Sequence, residues 1–299
     1  MVKWFSGKFK SNSKGPSMQD KRIKKPYAKA YVEITNICNR ACSFCHGTKR
    51  APKEMTHSEF SRIIDEISPL TDYVYLHVMG EPLTHPGLVQ FIKTVNERGL
   101  KCAITTNSTL LSERQNELIQ GGVYKVNVSV HSFEDGPDGE YIEYLSDIVD
   151  FADKASKSGV LVVLRLWNKG CDDGRNDKTL AFFKERLFGE WKCGARGVRI
   201  RHKLHLEYGD RFEWPDIEAK EGDGRVFCYG LSDHFGVLSD GSVIPCCLDS
   251  DGVITLGNAY TESVKEILSS ERAEAIRHGF KNRCVSEQLC RRCGYARRF

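Results

Sequence analysis

The stretch AYVEITNICNRACSFCHGT, residues 30–48, joins a β-rich run to a loop that carries three cysteines. Its first seven residues, AYVEITN, have the aromatic and β-branched composition of a strand. Cys38, Cys42 and Cys45 follow directly in the spacing C-x3-C-x2-C. Three thiolates on one short loop can bind three irons of a [4Fe–4S] cluster and leave the fourth without a protein ligand. Zinc is the alternative, but it usually takes four ligands in paired C-x2-C units.

Strand and helix patterns alternate on the C-terminal side of this loop. Further β-rich runs lie at 73–79, 101–107, 124–132, 160–167 and 197–204. Between them, apolar residues recur at spacings of three and four, as in amphipathic helices. This alternation implies parallel strands joined by right-handed crossovers. It predicts an α/β fold, a partial (β/α)6 TIM-like barrel, with its chemistry at the carboxyl ends of the strands.

Two motifs on this scaffold resemble those of the radical S-adenosylmethionine (SAM) family. CNRACSFC fits the family signature C-x3-C-x-aromatic-C, with Phe44 at the aromatic position. VMGEP (78–82) is similar to the family's Gly-Gly-Glu-Pro segment, although Met79 replaces the first glycine. The resemblance covers roughly residues 28–205 and implies that Cys38, Cys42 and Cys45 hold the cluster.

The same resemblance implies a set of SAM contacts at the strand ends. Gly80 and Glu81 would bind the amino group, because carboxylate and carbonyl oxygens accept hydrogen bonds from an ammonium. The further candidates, on or after the next three strands, are Thr106, Asn107, Ser129 and Arg165. Strand-end caps or turns, and for Arg165 an inward structural arginine, are the alternatives.

The resemblance also implies the reaction. The open iron would chelate SAM, and one electron from the cluster would split the sulfonium bond into methionine and a 5′-deoxyadenosyl radical. That radical would abstract hydrogen from a substrate, while the protein orients the parts and excludes water. The sequence indicates no catalytic residue for the step that follows.

A second group of cysteines lies near the C-terminus. A predicted hairpin turning at Asp240-Gly241 separates Cys228 from Cys246, and Cys290-x2-Cys293 follows. This pattern resembles the SPASM and twitch auxiliary-cluster extensions of the family. It implies one further [4Fe–4S] cluster bound by Cys228, Cys246, Cys290 and Cys293. Two cysteines are left over, of which Cys284 is favoured over Cys247 as an extra ligand, and a structural zinc is the alternative.

The remaining sequence sets the expected domains and compartment. We expect a basic extension at 1–27, the radical SAM core at 28–205, a linker at 206–227 and a twitch-like domain at 228–299. Nine of the 12 cysteines fall in two clusters, and the N-terminus lacks the apolar region of a secretory signal, so a reducing cytoplasmic setting with metal-bound thiols is expected. Lacking a long apolar run, the chain is expected to have no membrane partner.

Three function classes remain from the sequence. Peptide or protein modification (a maturase) is favoured, with any leader-peptide-binding domain expected on a separate protein and an electron donor such as flavodoxin or ferredoxin. Oxidation or rearrangement of a small molecule such as a sugar or aminocyclitol is the second class. A non-catalytic iron–sulfur or zinc protein is the third. The net charge of +4 and the lack of an RNA-binding module argue against nucleic acid.

Overall fold

The computed structural model describes residues 24–134, 137–172, 174–195 and 197–298. Within these ranges, 11 strands form one sheet in the order β11-β10-β9-β1-β2-β3-β4-β5-β8-β7-β6. The strands are β1 (Lys29–Val32), β2 (Tyr73–Tyr75), β3 (Lys101–Thr106), β4 (Lys125–Ser129), β5 (Leu161–Lys169), β6 (Lys192–Gly194), β7 (Gly197–Arg201), β8 (Leu204–Asp210), β9 (His234–Val237), β10 (Ser242–Ile244) and β11 (Gly257–Asn258).

In the described part of the chain, five helices lie between strands of the sheet, and three more follow the last strand. They are α1 (His57–Ile67), α2 (Leu88–Glu97), α3 (Leu111–Gln120), α4 (Asp138–Lys157), α5 (Arg175–Arg186), α6 (Val264–Leu268), α7 (Glu271–Lys281) and α8 (Gln288–Arg291). A capping box between Thr56 and Glu59 begins α1, as its sequence favours. No helix in the described ranges is long and apolar enough to cross a membrane.

The centre of the sheet has the predicted parallel arrangement. Strands β1 to β5 pair in sequence order, and β8 adds a sixth parallel strand beside β5. Side chains alternate across the sheet, so Val126 and Val128 of β4 enter the core shared with the helices, whereas Lys125, Asn127 and Ser129 lie on the opposite, concave face. The sheet is not closed, which confirms the partial barrel.

The sixth parallel strand differs from the predicted one. Residues 197–201 form β7, which is antiparallel to β8, and β8 runs to Asp210 inside the predicted linker. The charged, glycine-containing composition of HLEYGD hid this strand, because its polar side chains alternate with the buried Leu204 and Leu206. The core sheet therefore extends past the expected boundary at 205/206.

The C-terminal segment joins the same sheet. The predicted hairpin is present, with β9 antiparallel to β10 and Gly241 at φ +87° in its turn. On its other side β9 pairs parallel with β1 over Lys29–Val32, a contact that the sequence did not predict. Two helices, α6 and α7, follow this hairpin, and the side chain of Ser270 caps the N-terminus of α7.

The expected basic extension lies largely outside the described residues. Of its cationic side chains, the described Lys25 donates to the carbonyls of Ser68 and Thr71 and pairs with Asp72 at 2.9 Å. This cation therefore ties the first described residues to the α1–β2 connection.

Candidate functional site

The first cysteine loop lies between β1 and α1, at the carboxyl ends of the parallel strands. Cys38 and Cys45 are exposed and Cys42 is half-buried. The Nδ2 atom of Asn107, after β3, lies 3.8 Å from the sulfur of Cys38. The sulfur of Cys42 lies 3.7 Å from the carbonyl oxygen of Ser132, after β4. The loop thus faces the ends of β3 and β4 with its thiols partly open to solvent.

The 78–82 loop packs against the same cysteine loop. Gly80 has φ +75°, and a Cβ added there would lie 2.4 Å from the carbonyl oxygen of Thr35 and 2.9 Å from that of Ile37. The backbone N–H of Glu81 donates to the Ile37 carbonyl at 2.9 Å. Only glycine permits this close approach, so Gly80 fixes the loop that follows β2 directly beside the cysteines.

Glu81 is buried, with 2% of its surface exposed. Its two carboxylate oxygens accept the backbone N–H groups of Leu83 at 3.0 Å and Asn107 at 2.6 Å. Burial raises the pKa of Glu81 to about 7, against the opposing effect of these hydrogen bonds. The carboxylate therefore ties the loops after β2 and β3 together. The hydroxyl of Thr106 also donates to it, so one of its four lone pairs stays open.

The other candidate SAM contacts fall into two groups. Asn107 reaches the cysteine loop, and its Nδ2 donates to Asn39 at 2.8 Å. Ser129 ends β4 on the concave face, and its carbonyl accepts the hydroxyl of Tyr144. Thr106 is 1% exposed; its hydroxyl oxygen accepts the N–H of Ser108 and its hydroxyl hydrogen goes to the Glu81 carboxylate, so its side chain holds the loops together rather than facing the open end of the barrel.

Arg165 and Phe44 both lie near His131, at the ends of β4 and β5. The Nε of Arg165 is 3.5 Å from a carboxylate oxygen of Glu207 on β8, and the guanidinium lies 4.4 Å from the Trp167 ring centroid. Burial lowers the pKa of Arg165. Phe44 lies 4.9 Å from the His131 ring, between centroids. Arg165 therefore already has a protein carboxylate as its neighbour.

A cavity of about 510 Å³ opens at the ends of β4 and β5, within the size range of small-molecule sites. Phe44 of the cysteine loop forms one wall, and His131 and Trp167 form another. Arg175 of α5 and Glu134 add charge to its lining. The cavity is thus continuous with the first cysteine loop.

The second cysteine group is more enclosed. Cys228 precedes β9, Cys246 and Cys247 follow β10, and all three are half-buried together with Cys290 and Cys293. Burial raises the pKa of Cys290, and the nearby Cys228 and Cys293 raise it further, as expected of thiols held close together.

Backbone groups point at the sulfurs of this second group. Gly230 donates its N–H to the sulfur of Cys228 at 3.4 Å, and Leu248 donates to that of Cys246 at 3.2 Å. Such donors stabilise thiolates bound to iron and tune the potential of a cluster. The sequence favoured Cys284 as the extra thiol, but the structure leaves Cys284 exposed and places Cys247 beside Cys246 instead.

The donor chemistry at both places fits iron–sulfur clusters. In the described ranges, no three His, Cys, Asp or Glu side chains converge on the position of a single metal ion. The thiolates of a [4Fe–4S] cluster bind different irons, so they need not meet at one point. Both donor sets consist of sulfur atoms, and an amide or backbone N–H group lies beside several of them. This is the donor set that an iron–sulfur cluster needs.

Two family models match this chain. The radical SAM superfamily model matches residues 32–168, and that of an iron–sulfur cluster-binding domain, SPASM, matches residues 228–294. The chain belongs to the radical SAM superfamily. Membership implies an enzyme with a [4Fe–4S] cluster used together with SAM, and the SPASM match supports auxiliary iron–sulfur clusters as well.

Known proteins share parts of this radical SAM chain. It is 28% identical over 116 residues to a probable GTP 3′,8-cyclase of Thermococcus kodakarensis, covering 38% of each chain. BtrN in complex with AdoMet and 2-DOIA superposes with a TM-score of 0.59 at 19% identity, covering 91% of this chain and 94% of BtrN. Native anSMEcpe with bound AdoMet and Cp18Cys peptide gives a TM-score of 0.58 at 14% identity, covering 90% and 87%. These structures share the fold, whereas the matched segment spans only about a third of the curated relatives.

Sequence reasoning missed a buried ion pair at the centre of this radical SAM protein. Glu33, just after β1, is fully buried and binds the Nη2 atom of Arg50 with both oxygens, at 2.6 and 2.7 Å. The same carboxylate accepts the N–H of Met79 at 3.0 Å and the hydroxyl of Ser239 at 2.9 Å. A charged residue beside an apolar strand was the signal. Glu33 joins the cysteine loop, the 78–82 loop and the C-terminal hairpin.

The predicted linker also contacts both cysteine regions. The Nε1 of Trp214 donates to the carbonyl of Phe44 at 2.9 Å. Its ring lies 5.3 Å from that of Phe212, which lies 5.1 Å from Tyr295, two residues after Cys293. The linker therefore braces the first cysteine loop against the C-terminal tail.

Proposed function

We propose that this enzyme cleaves SAM reductively at a cluster held by Cys38, Cys42 and Cys45. The observation that carries the proposal is the packing of this three-thiol loop against Gly80 and Asn107 at the mouth of the partial barrel. When bound, the cluster and SAM supply a 5′-deoxyadenosyl radical that abstracts hydrogen from the substrate.

The protein's own residues position SAM in this proposal. Gly80 lets backbone carbonyls approach the SAM amino group, and the one open lone pair of Glu81 accepts one of its hydrogens. Asn107 and Ser129 contact the ribose side, Phe44 packs in the adjoining cavity, and the cavity walls exclude water. Thr106 and Arg165 have the weakest support, because both already have partners inside the protein.

A second cluster completes the proposal. Cys228, Cys246, Cys290 and Cys293 would hold one auxiliary [4Fe–4S] cluster, with Cys247 beside it. The N–H groups of Gly230 and Leu248 would stabilise its thiolates. We place the protein in the reducing cytoplasm, where clustered thiols stay available to metal.

We propose a peptide or protein side chain as the substrate. The fold shared with anSMEcpe, whose complex contains a Cp18Cys peptide, supports this class. A flavodoxin or ferredoxin would donate the electron, and a separate protein would bind any leader peptide. Oxidation or rearrangement of a small molecule is the second candidate, favoured by the match over 94% of BtrN, whose complex contains 2-DOIA.

Two measurements on anaerobically reconstituted protein test the proposal. Addition of SAM should change the EPR spectrum of the reduced first cluster, and dithionite with SAM should yield 5′-deoxyadenosine. A spectrum indifferent to SAM and no 5′-deoxyadenosine would indicate a non-catalytic iron–sulfur or zinc protein and overturn the proposal. Mass spectrometry then separates the substrate classes, because a peptide that loses two hydrogens or gains a crosslink supports the maturase.

A further inference from the structure

A polar layer lies inside the partial barrel, deeper than the proposed SAM contacts. It consists of His77, which follows β2, Thr105 of β3, and Lys125 and Asn127 of β4. Thr105 and Asn127 precede Asn107 and Ser129 by two residues on their strands, a distance of about 7 Å along a strand. We call these four residues the interior layer.

Hydrogen bonds link three members of the interior layer. The hydroxyl oxygen of Thr105 lies 3.1 Å from Nε2 of His77, and Nδ2 of Asn127 donates to the same oxygen at 3.1 Å. The Thr105 hydroxyl uses its own hydrogen when it donates to Nε2, and in this arrangement the neutral imidazole carries its proton on Nδ1. Burial, with Arg165 and Lys125 nearby, lowers the pKa of His77 to about 3 and keeps the ring neutral.

Two side-chain atoms of the interior layer lack a hydrogen-bond partner among the residues that the structure describes. Nδ1 of His77 and Oδ1 of Asn127 are buried, and neither makes a hydrogen bond within the described part of the protein. Asn127 is 0% exposed. A buried unsatisfied polar group costs about 1–3 kcal/mol. The interior layer therefore presents one donor and one acceptor to whatever occupies the barrel.

Lys125 adds a positive charge beside these atoms. Its neighbours of the same sign have carboxylate partners, since Lys29 pairs with Asp233 at 3.4 Å and Arg165 lies 3.5 Å from Glu207. The ammonium of Lys125 makes no ion pair or hydrogen bond with any residue that the structure describes. Burial lowers its pKa, Arg165 lowers it further, and Glu207 raises it. A half-buried ammonium in this setting attracts an anion.

We propose that the interior layer is a substrate subsite for an oxyanion, a carboxylate or a phosphate, on a group that also presents a hydrogen-bond donor. Lys125 binds the oxyanion together with the Nδ1–H of His77, and Oδ1 of Asn127 accepts the donor. In the peptide reading of the proposed function, on which this inference rests, the group is an acidic side chain with its amide N–H. The subsite, which lies deeper in the barrel than SAM, then selects substrates by their charge.

Amine acetylation of the reconstituted protein with SAM bound tests the subsite. Three probes are compared: N-acetylglutamate α-amide, inorganic phosphate and the neutral N-acetylglutamine amide. Tryptic mass spectrometry follows the acetylation rates of Lys125 and of Lys101, the control, which lies on neighbouring β3 over the rings of Tyr73 and Tyr124. A charge-assisted contact predicts that a bound oxyanion slows Lys125 about tenfold or more, with Lys101 unchanged.

The two anions distinguish the source of the oxyanion. Protection by the glutamate derivative alone assigns a carboxylate, and protection by phosphate alone assigns a phosphoryl group. Equal protection of Lys101, protection by the neutral amide, or no protection of Lys125 would overturn the subsite.

Calorimetry provides a second, independent measurement. Lys125→Met should weaken binding of the protective anion about tenfold or more, whereas Lys101→Met should leave it unchanged. Equal affinities for Lys125→Met and the parent protein would refute the assignment. The EPR response to SAM is recorded on the same samples. If SAM changes the EPR spectrum normally but no anion binds, only the subsite is refuted. If SAM no longer changes the spectrum, the proposed function is refuted.

Discussion

The two cysteine regions differ in how far the protein encloses them. In the first, two of the three thiols are exposed and the loop borders a cavity of about 510 Å³. In the second, five thiols are half-buried, and backbone N–H groups of Gly230 and Leu248 point at two of the sulfurs. An open metal site can accept a reactant, whereas an enclosed site with satisfied ligands is suited to electron transfer or stability. The contrast assigns different tasks to the two clusters.

The largest expected effect comes from removing one ligand of the open site. Cys42→Ala should abolish 5′-deoxyadenosine formation and remove about half of the bound iron, because the four irons of the first cluster would be lost. Iron analysis and chromatography of the products check this. Cys193→Ser, at an exposed cysteine outside both groups, is the control and should retain both. If Cys42→Ala formed as much 5′-deoxyadenosine as the parent protein, the first cysteine loop would not be the reactive site.

The joint between the two regions should carry the next largest effect. Glu33→Ala leaves the guanidinium of Arg50 buried without its carboxylate, which should cost about 3–5 kcal/mol of the free energy of unfolding. Urea denaturation of the metal-free protein measures it. Glu97→Ala removes a partner from the exposed Arg98 pair and should change less than about 1 kcal/mol. Similar values for both variants would show that Glu33 does not couple the regions.

The pH dependence of stability should identify the carboxylate beside the open site. The pKa of Glu81 is raised from 4.5 to about 7, so its protonated form stabilises the folded state below pH 4.5, and this stabilisation is lost as the pH rises through 7. Relative to Glu81→Gln, the free energy of unfolding of the parent protein should fall by about 3 kcal/mol as the pH rises from 4.5 to above 7. Denaturation of the metal-free proteins at several pH values checks the sign. Parallel curves would contradict the burial of this carboxylate.

The smallest effect is expected at the enclosed site. Cys284→Ser should leave the EPR spectrum of the auxiliary cluster unchanged, because Cys284 is exposed and apart from the other thiols. Cys247→Ser is the matched comparison and should alter that spectrum, since Cys247 contacts Cys246. The reverse result would restore the preference that the sequence favoured.

Local patterns predicted much of this molecule. The alternation of strands and helices gave the parallel core, and the turn at Asp240-Gly241 gave the hairpin, because both depend on neighbouring residues. The pairing of β9 with β1 joins residues about 200 positions apart, and no local pattern specifies such a contact. For the same reason, the partners of Glu33 could not be predicted. The ligand assignments of the cysteines remain predictions.

The pairing of β9 with β1 also limits how the chain can be divided. Four residues of β1, Lys29 to Val32, lie opposite His234 to Val237 in parallel register. A fragment that ended before residue 228 would uncover the backbone N–H and C=O groups along that side of β1. Unpaired strand edges form hydrogen bonds with other chains, so such a fragment would be prone to aggregate through β1. The N-terminal and C-terminal segments therefore share one sheet, and neither can be removed or exchanged without exposing a strand edge.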